Sequence, residues 1–268
     1  MTDDIARAFL HGSKPLLVTH VVAGYPDLDR SRKTVETMAA AGAGMIEVQI
    51  PFSDPIADGP VITAANRAAL AGGTKPADVF RMIRRLKKCV SAPLLVMTYA
   101  NIPYRMGLER FAAACAESGA AGAIIPDLPV DEFAGNPARV FHRRGTALIP
   151  VLSPGMSKLR IRRVLDSAAG FVYVTLRTGT TGARSRLAAP GLSFIDRLRR
   201  ETALPLAAGF GISEPAHVWA LGGKVDAVVI GSRLIRLRDE SGLKAVADFL
   251  RDCRRGPKPG ASGRGGAS

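Results

Sequence analysis

Eight short apolar runs, each followed by a turn and then a stretch of helical spacing, recur along the 268 residues of this chain. They fall at 16–22, 45–50, 94–99, 122–126, 147–152, 171–176, 204–208 and 226–230. A strand, helix, strand alternation implies parallel strands joined by right-handed crossovers. Eight units in this length, with no residues to spare for a second domain, predict a single-domain α/β fold, a (β/α)8 TIM barrel. The competing architecture is an open doubly wound sheet, and no Gly-x-Gly-x-x-Gly follows the first run to support it.

Hydrophobic residues make up 47% of the chain, ample for one large core. Three widely spaced cysteines, Cys89, Cys115 and Cys253, form no Cys-x-x-Cys pattern and read as reduced thiols, which points to the cytoplasm. No apolar run reaches the length of a membrane span, and the Met-Thr-Asp-Asp start lacks the character of a signal peptide. The net charge of +14 raises nucleic acid as a partner. The bases, however, are scattered over several helical segments, which is the distribution of a solvated surface, so neither nucleic acid nor a membrane is expected to bind. Residues 254–268 hold four bases, no acid and many Gly, Pro and Ser, so the barrel is expected over 1–253 and a disordered tail after it.

The stretch 45–60 reads Met-Ile-Glu-Val-Gln-Ile-Pro-Phe-Ser-Asp-Pro-Ile-Ala-Asp-Gly-Pro. Strand alternation puts Ile46, Val48 and Ile50 on one face and Met45, Glu47 and Gln49 on the other. A carboxylate within such a strand costs several kcal/mol unless it is paired or used, and buried carboxylates cluster at functional sites. Taken singly, Asp54 and Asp58 are ordinary turn formers or caps for the following helix. With Glu47 they make an acid/base set beside a proline-rigid loop.

Barrel enzymes carry their functional residues at the C-terminal ends of the strands. Polar and Gly-rich loops gather there: Gly24-Tyr25-Pro26 after the first strand, Pro126-Asp127-Leu128-Pro129 after the fourth and residues 177–185 after the sixth. Gly209-Phe210-Gly211-Ile212-Ser213 follows the seventh, and Gly231-Ser232 the eighth. Glycines there let backbone N–H groups converge, and a helix starting at Ser232 aims its positive end at an anion, so a phosphate site is expected. The four histidines lie far apart with none at ligand spacing, and no metal site is expected.

The stretch Glu47-Val-Gln-Ile-Pro-Phe-Ser-Asp-Pro-Ile-Ala-Asp58-Gly-Pro resembles the signature of the tryptophan synthase alpha chain family. So do Gly24-Tyr25-Pro26, Thr98-Tyr99-Ala100-Asn101, Ile125 to Pro129, the Gly-x-Thr-Gly-Ala-Arg motif at 179–184, Gly-Phe-Gly-Ile-Ser and Gly231-Ser232, in the family's order. The resemblance implies a retro-aldol cleavage of indole-3-glycerol phosphate to indole and glyceraldehyde 3-phosphate, with Glu47 and Asp58 as the catalytic pair. It implies that Tyr173 points inward near the reacting carbon and that Ile62 and Phe210 wall the indole pocket. It also assigns Gly182, Gly211, Gly231 and Ser232 to phosphate binding. No cofactor is implied in this chain; pyridoxal phosphate belongs to the beta chain, the implied partner in an assembly of two alpha and two beta chains. Loops 52–60 and 177–188 would close over substrate.

Two pocket positions depart from the pattern. His20 stands where the family has an apolar or aromatic residue, and Gln49 where it has glycine. Gln49 is expected to fill pocket volume or bond Glu47, or else to fold toward His20 at the rim. Two alternatives stay open: a stand-alone indole-glycerol-phosphate lyase, and a catalytically weak regulatory alpha-like subunit.

Overall fold

A computed structural model of the chain describes residues 3–129, 136–175, 189–209 and 211–256. Its parallel strand segments are β1 (Leu16–Val22), β2 (Met45–Gln49), β3 (Leu94–Met97), β4 (Gly122–Ile124), β5 (Ala147–Ile149), β6 (Val151–Leu152), β7 (Val172–Thr175), β8 (Leu206–Gly209) and β9 (Ala227–Ile230). They pair in the order β5-β4-β3-β2-β1-β9-β8-β7-β6. β5 pairs with β4 and β6 with β7, yet β5 and β6 are one run of chain interrupted only at Pro150. The two ends of the sheet therefore meet, and the sheet closes as the expected barrel.

The interruption inside the expected fifth strand has a simple cause. Pro150 has no N–H to give to a ladder, while its carbonyl still accepts from Tyr173 N at 2.9 Å. The expected strand 204–208 likewise starts later, at Leu206, directly after Pro205. The Leu206 N–H donates to Asp226 Oδ2 at 2.7 Å, which ties the starts of β8 and β9 together.

Helices α2 (Leu28–Ala40), α3 (Pro60–Ala71), α4 (Pro76–Leu86), α5 (Asn101–Met106), α6 (Leu108–Ser118), α7 (Pro137–Arg143), α8 (Lys158–Leu165), α9 (Ala189–Glu201), α10 (Pro215–Trp219) and α11 (Ser232–Arg255) follow the strands. Ile46, Val48 and Ile50 of the β2 run face outward and pack with Val35 and Met38 of α2 and Val79 and Ile83 of α4. The opposite face points into the barrel, whose interior is apolar toward the strand starts, with Leu16, Met45, Leu95, Phe171 and Ala227. A helix that precedes the first strand, α1 (Asp3–His11), closes that end: Ile5 is wholly buried in the interior cluster, and Phe9 meets Phe171 at 5.7 Å.

α11 is two helices joined at Gly242, whose φ of 78° lies in the left-handed region that suits glycine. The second piece runs through Arg254 and Arg255, two residues beyond the expected barrel boundary, because Cys253 is still buried and its carbonyl accepts from Trp219 Nε1 at 3.0 Å. The rest of the expected tail, from 257 on, lies outside the described residues.

The apolar end of the barrel makes α1 a structural plug. Truncating Ile5→Ala removes buried side-chain volume from a packed interior, and an unfolding free energy lowered by about 2–5 kcal/mol in urea denaturation is expected. A change below about 0.5 kcal/mol, the size typical of surface substitutions, would show that α1 is not part of the core.

Candidate active site

Moving toward the C-terminal ends of the strands, the barrel interior turns from apolar to polar. The β1–β2 ladder sets His20 opposite Glu47, and strand alternation returns Gln49 to the same inward face. All three are buried. His20 Nδ1 lies 3.0 Å from Glu47 Oε2, and His20 Nε2 lies 2.9 Å from Gln49 Oε1. Gln49 Nε2 donates to Asp58 Oδ2 at 2.7 Å. Gln49 thus bonds His20 and Asp58, with the imidazole interposed between it and Glu47. The contact is no rim feature, since Gln49 is 0% exposed.

The loop after β2 delivers Asp58 into this interior. Helix α3 starts with Gly59 as its N-cap and Pro60 in its first turn, and no side chain caps it. Asp58 is therefore free to turn inward, whereas Asp54 stays exposed and accepts from the Ser53 hydroxyl. Asn66 of α3 holds the loop. Its Oδ1 accepts from Phe52 N at 3.0 Å, and its Nδ2 donates to Ile62 O at 2.9 Å and to Asp58 Oδ2 at 3.4 Å. Sequence reasoning did not select Asn66, though an asparagine between Ala65 and Ala69 on the buried face of α3 was a usable signal. Tyr99 was noted only as part of a motif. Its ring stacks on Phe52 at 5.4 Å, and its hydroxyl accepts from Ala57 N at 3.2 Å.

Burial by itself would lower the pKa of His20, but the hydrogen bond and charge of Glu47, with smaller effects of Asp58 and Gln49, raise it above the usual imidazole value. Burial raises the pKa of Asp58, opposed by the charge of His20 and by hydrogen bonds from Gln49, Tyr99 and Asn66. Tyr99 and Tyr173 are pushed far above the ordinary phenol value, first by burial and then by nearby carboxylates, Asp58 for the one and Glu47 and Asp58 for the other. Both phenols are neutral. Glu47 Oε1 is buried, and no donor among the described residues reaches it.

The expected ligand-holding positions surround this network in part. Tyr173 of β7 lies beside Gly209 of the adjacent strand β8; a Cβ on Gly209 would lie 3.4 Å from the phenol oxygen. A Cβ on Gly231 would lie 3.5 Å from Ile62 Cδ1 and 3.6 Å from His20 Cβ, so Ile62 reaches the edge of the polar cluster while packing with Val22, Ala65 and Ile235. Gly231 and Ser232 open α11 at the end of β9, and Gly211 follows β8 with φ 66°. Gly182, Phe210 and the loop 177–188 lie outside the described residues. Among the described residues, no group of three or more His, Cys, Asp or Glu is arranged to hold a metal ion, and no helix is long and apolar enough to cross a membrane. A cleft of about 90 Å³ beside the loops after β4 and β6 contains neither Glu47 nor Asp58. The carboxylate pair inside the barrel mouth is the stronger candidate, because buried titratable groups converge there.

Comparison with known proteins shows the family. Residues 7–252 match the family model described as tryptophan synthase alpha chain. The alpha chain of Syntrophotalea carbinolica is 42% identical over 239 residues, covering 89% of this chain and 94% of that protein. That of Desulfotalea psychrophila is 43% identical, with the same coverage of 89% and 94%. Among solved structures, tryptophan synthase of Mycobacterium tuberculosis superposes with a TM-score of 0.87 at 28% identity, covering 95% of this chain and 98% of that one. A mutant tryptophan synthase alpha-subunit of Pyrococcus furiosus gives 0.80 at 29% identity, covering 90% and 97%. With a closed parallel barrel, two inward carboxylates at its mouth and a family match across nearly its whole length, the chain belongs to the tryptophan synthase alpha chain family.

Proposed function

We propose that this chain cleaves indole-3-glycerol phosphate into indole and glyceraldehyde 3-phosphate, with Glu47 as acid and base and Asp58 as the partner of the indole nitrogen. The observation that carries this reading is the bare Oε1 of Glu47, a buried carboxylate oxygen with no donor among the described residues. Leaving such an atom unpaired costs about 1–3 kcal/mol or more, which is an arrangement suited to a ligand that brings its own proton.

The chemistry needs two proton movements and one bond cleavage. The glycerol hydroxyl gives its proton to Glu47, which passes it to the indole ring carbon that carries the glycerol chain, and the carbon–carbon bond electrons return to the ring as the hydroxyl oxygen becomes that of the aldehyde. One carboxylate serves both ends in turn. Protonation at carbon places positive charge on the ring nitrogen, and an ionised Asp58 accepting the indole N–H stabilises it as it develops. Ile62 and Phe210 are assigned to the walls of the ring pocket, and Tyr173 contacts the ring from β7. The phosphate is held by the backbone at Gly182, Gly211, Gly231 and Ser232, where the N-terminus of α11 favours an anion. These steps use carboxylates alone, so the reading assigns no cofactor to this chain.

The same reading includes a beta chain as partner, in an assembly of two alpha and two beta chains, with pyridoxal phosphate on the beta chain and the cytoplasm as the site of action. Support comes from exposed apolar side chains on segments that follow β2, β3 and β6: Ile56, Tyr104 and Leu159, at 70%, 80% and 60% exposure.

Glu47→Gln keeps shape and removes the proton carrier, so indole release should fall by at least about 10²-fold while affinity for a non-cleavable indole phosphate changes little. Turnover within about tenfold of wild type would refute the assignment. Asp58→Asn should lower both kcat and analogue affinity, since a neutral amide stabilises a cationic ring poorly. Inorganic phosphate added to the resting protein should shift the backbone amide resonances of Gly211 and Ser232; an unperturbed spectrum at millimolar phosphate counts against the anion site.

A further inference from the structure

The hydrogen-bond chain in the barrel mouth has one fixed end, and the proton positions follow from it. Phe52 N is a backbone donor and nothing else, so the Asn66 atom facing it is the oxygen, and the Asn66 amide nitrogen must face Asp58 Oδ2. That oxygen also receives Gln49 Nε2 at 2.7 Å. An oxygen taking two N–H donors serves as an acceptor, the role of an ionised carboxylate. The Gln49 amide is thereby oriented with Oε1 toward His20 Nε2, at 2.9 Å, while His20 Nδ1 faces Glu47 Oε2 at 3.0 Å. Both ring nitrogens of His20 face acceptors. A neutral imidazole would need Glu47 to hold the proton and donate it to Nδ1; with Glu47 an acceptor, both ring nitrogens donate.

We propose that His20 and Gln49 are a positioning pair for the reaction assigned above. His20 rests as an imidazolium between Glu47 and Gln49, and Gln49 carries that orientation to Asp58, so both carboxylates are held and aimed as acceptors before substrate enters. The inference rests on the assignment of Glu47 and Asp58 as the reacting groups. His20 and Gln49 satisfy each other. His20 hydrogen-bonds Glu47 directly and reaches Asp58 through the Gln49 amide and through its charge. Around the imidazole, β2 supplies Glu47 and Gln49, the following loop supplies Asp58, the start of α11 supplies the uncharged Gly231, and α3 supplies Ile62. Tyr99, just after β3, and Tyr173 of β7 face the carboxylates as neutral phenols.

The raised pKa of His20 agrees with this arrangement. The direction at Asp58 makes the pair necessary. Burial pushes that carboxyl up, and the charge of His20 and the Gln49 hydrogen bond are the two leading influences that pull it back. Removing Gln49 breaks the link while leaving the His20–Glu47 contact in place.

Two measurements on resting protein test the proposal without depending on turnover. In protein labelled with 15N-histidine, both ring nitrogens of His20 should carry protons at neutral pH and remain so above the usual imidazole value of about 6.5. A singly protonated His20 at pH 7 overturns the proposal, even in a protein that cleaves substrate. In 13C-aspartate-labelled protein, Gln49→Leu should raise the titration midpoint of Asp58 by about one pH unit, and the acid limb of kcat/KM for indole release should move up with it. An unmoved Asp58 midpoint, or a loss of activity equal at every pH, would reduce Gln49 to a packing residue and overturn the coupling. A protein that shows both resonance results yet releases no indole would refute the proposed reaction and leave the resting charge arrangement intact.

Discussion

Two carboxylates have been taken out of water inside a barrel whose other interior residues are largely apolar, and most of the site's architecture follows from compensating them. An ionised group in such surroundings needs a counter-charge or hydrogen-bond donors in good geometry. The backbone cannot help at Glu47, because its N–H groups are committed to the ladder with β1 and β3. Side chains must do it, and inward positions beside Glu47 lie on its own and the neighbouring strand. His20 and Gln49 stand there. The loop that carries Asp58 is held by the same means, since Asn66 binds both the loop backbone at Phe52 and the carboxylate itself.

This makes loop conformation and site electrostatics one problem. Phe52 is tied to Asn66 through its backbone and to Tyr99 through ring stacking, and Tyr99 in turn accepts from Ala57 within the loop. A displacement of the loop between Phe52 and Asp58 would change donors to the carboxylate as well as its position. A site built this way is preorganised, with polar groups aimed before the charge they stabilise has formed.

The strand pattern was legible in the sequence because apolar runs alternating with helical spacing admit few closed arrangements. The inward position of Glu47 was legible too, because a period of two leaves no other option once Ile46, Val48 and Ile50 face the helices. Prolines blurred the boundaries: Pro150 interrupts a ladder that periodicity alone would continue, and Pro205 delays the start of β8. The inward turn of Asp58 was not visible, because an Asp-Gly pair before a helix reads equally as a cap, and only the cap geometry at Gly59 decides. The order of partners along Glu47, His20, Gln49, Asp58 and Asn66 was hidden for a further reason. It depends on rotamers and on which end of each amide faces which neighbour, and sequence spacing carries no record of either.

The mutual satisfaction of His20 and Gln49 also constrains how such a barrel can change over generations. Starting from a glycine on β2 and an apolar residue on β1, a lone histidine would bury a ring nitrogen with no acceptor, and a lone glutamine would bury a carbonyl with no donor. Each single replacement is a step downhill in stability, and only the double replacement closes the chain from one carboxylate to the other. Replacements at residues coupled in this manner are not additive in stability. Grafting one of them into a relative without the other would carry over the penalty and leave the benefit behind.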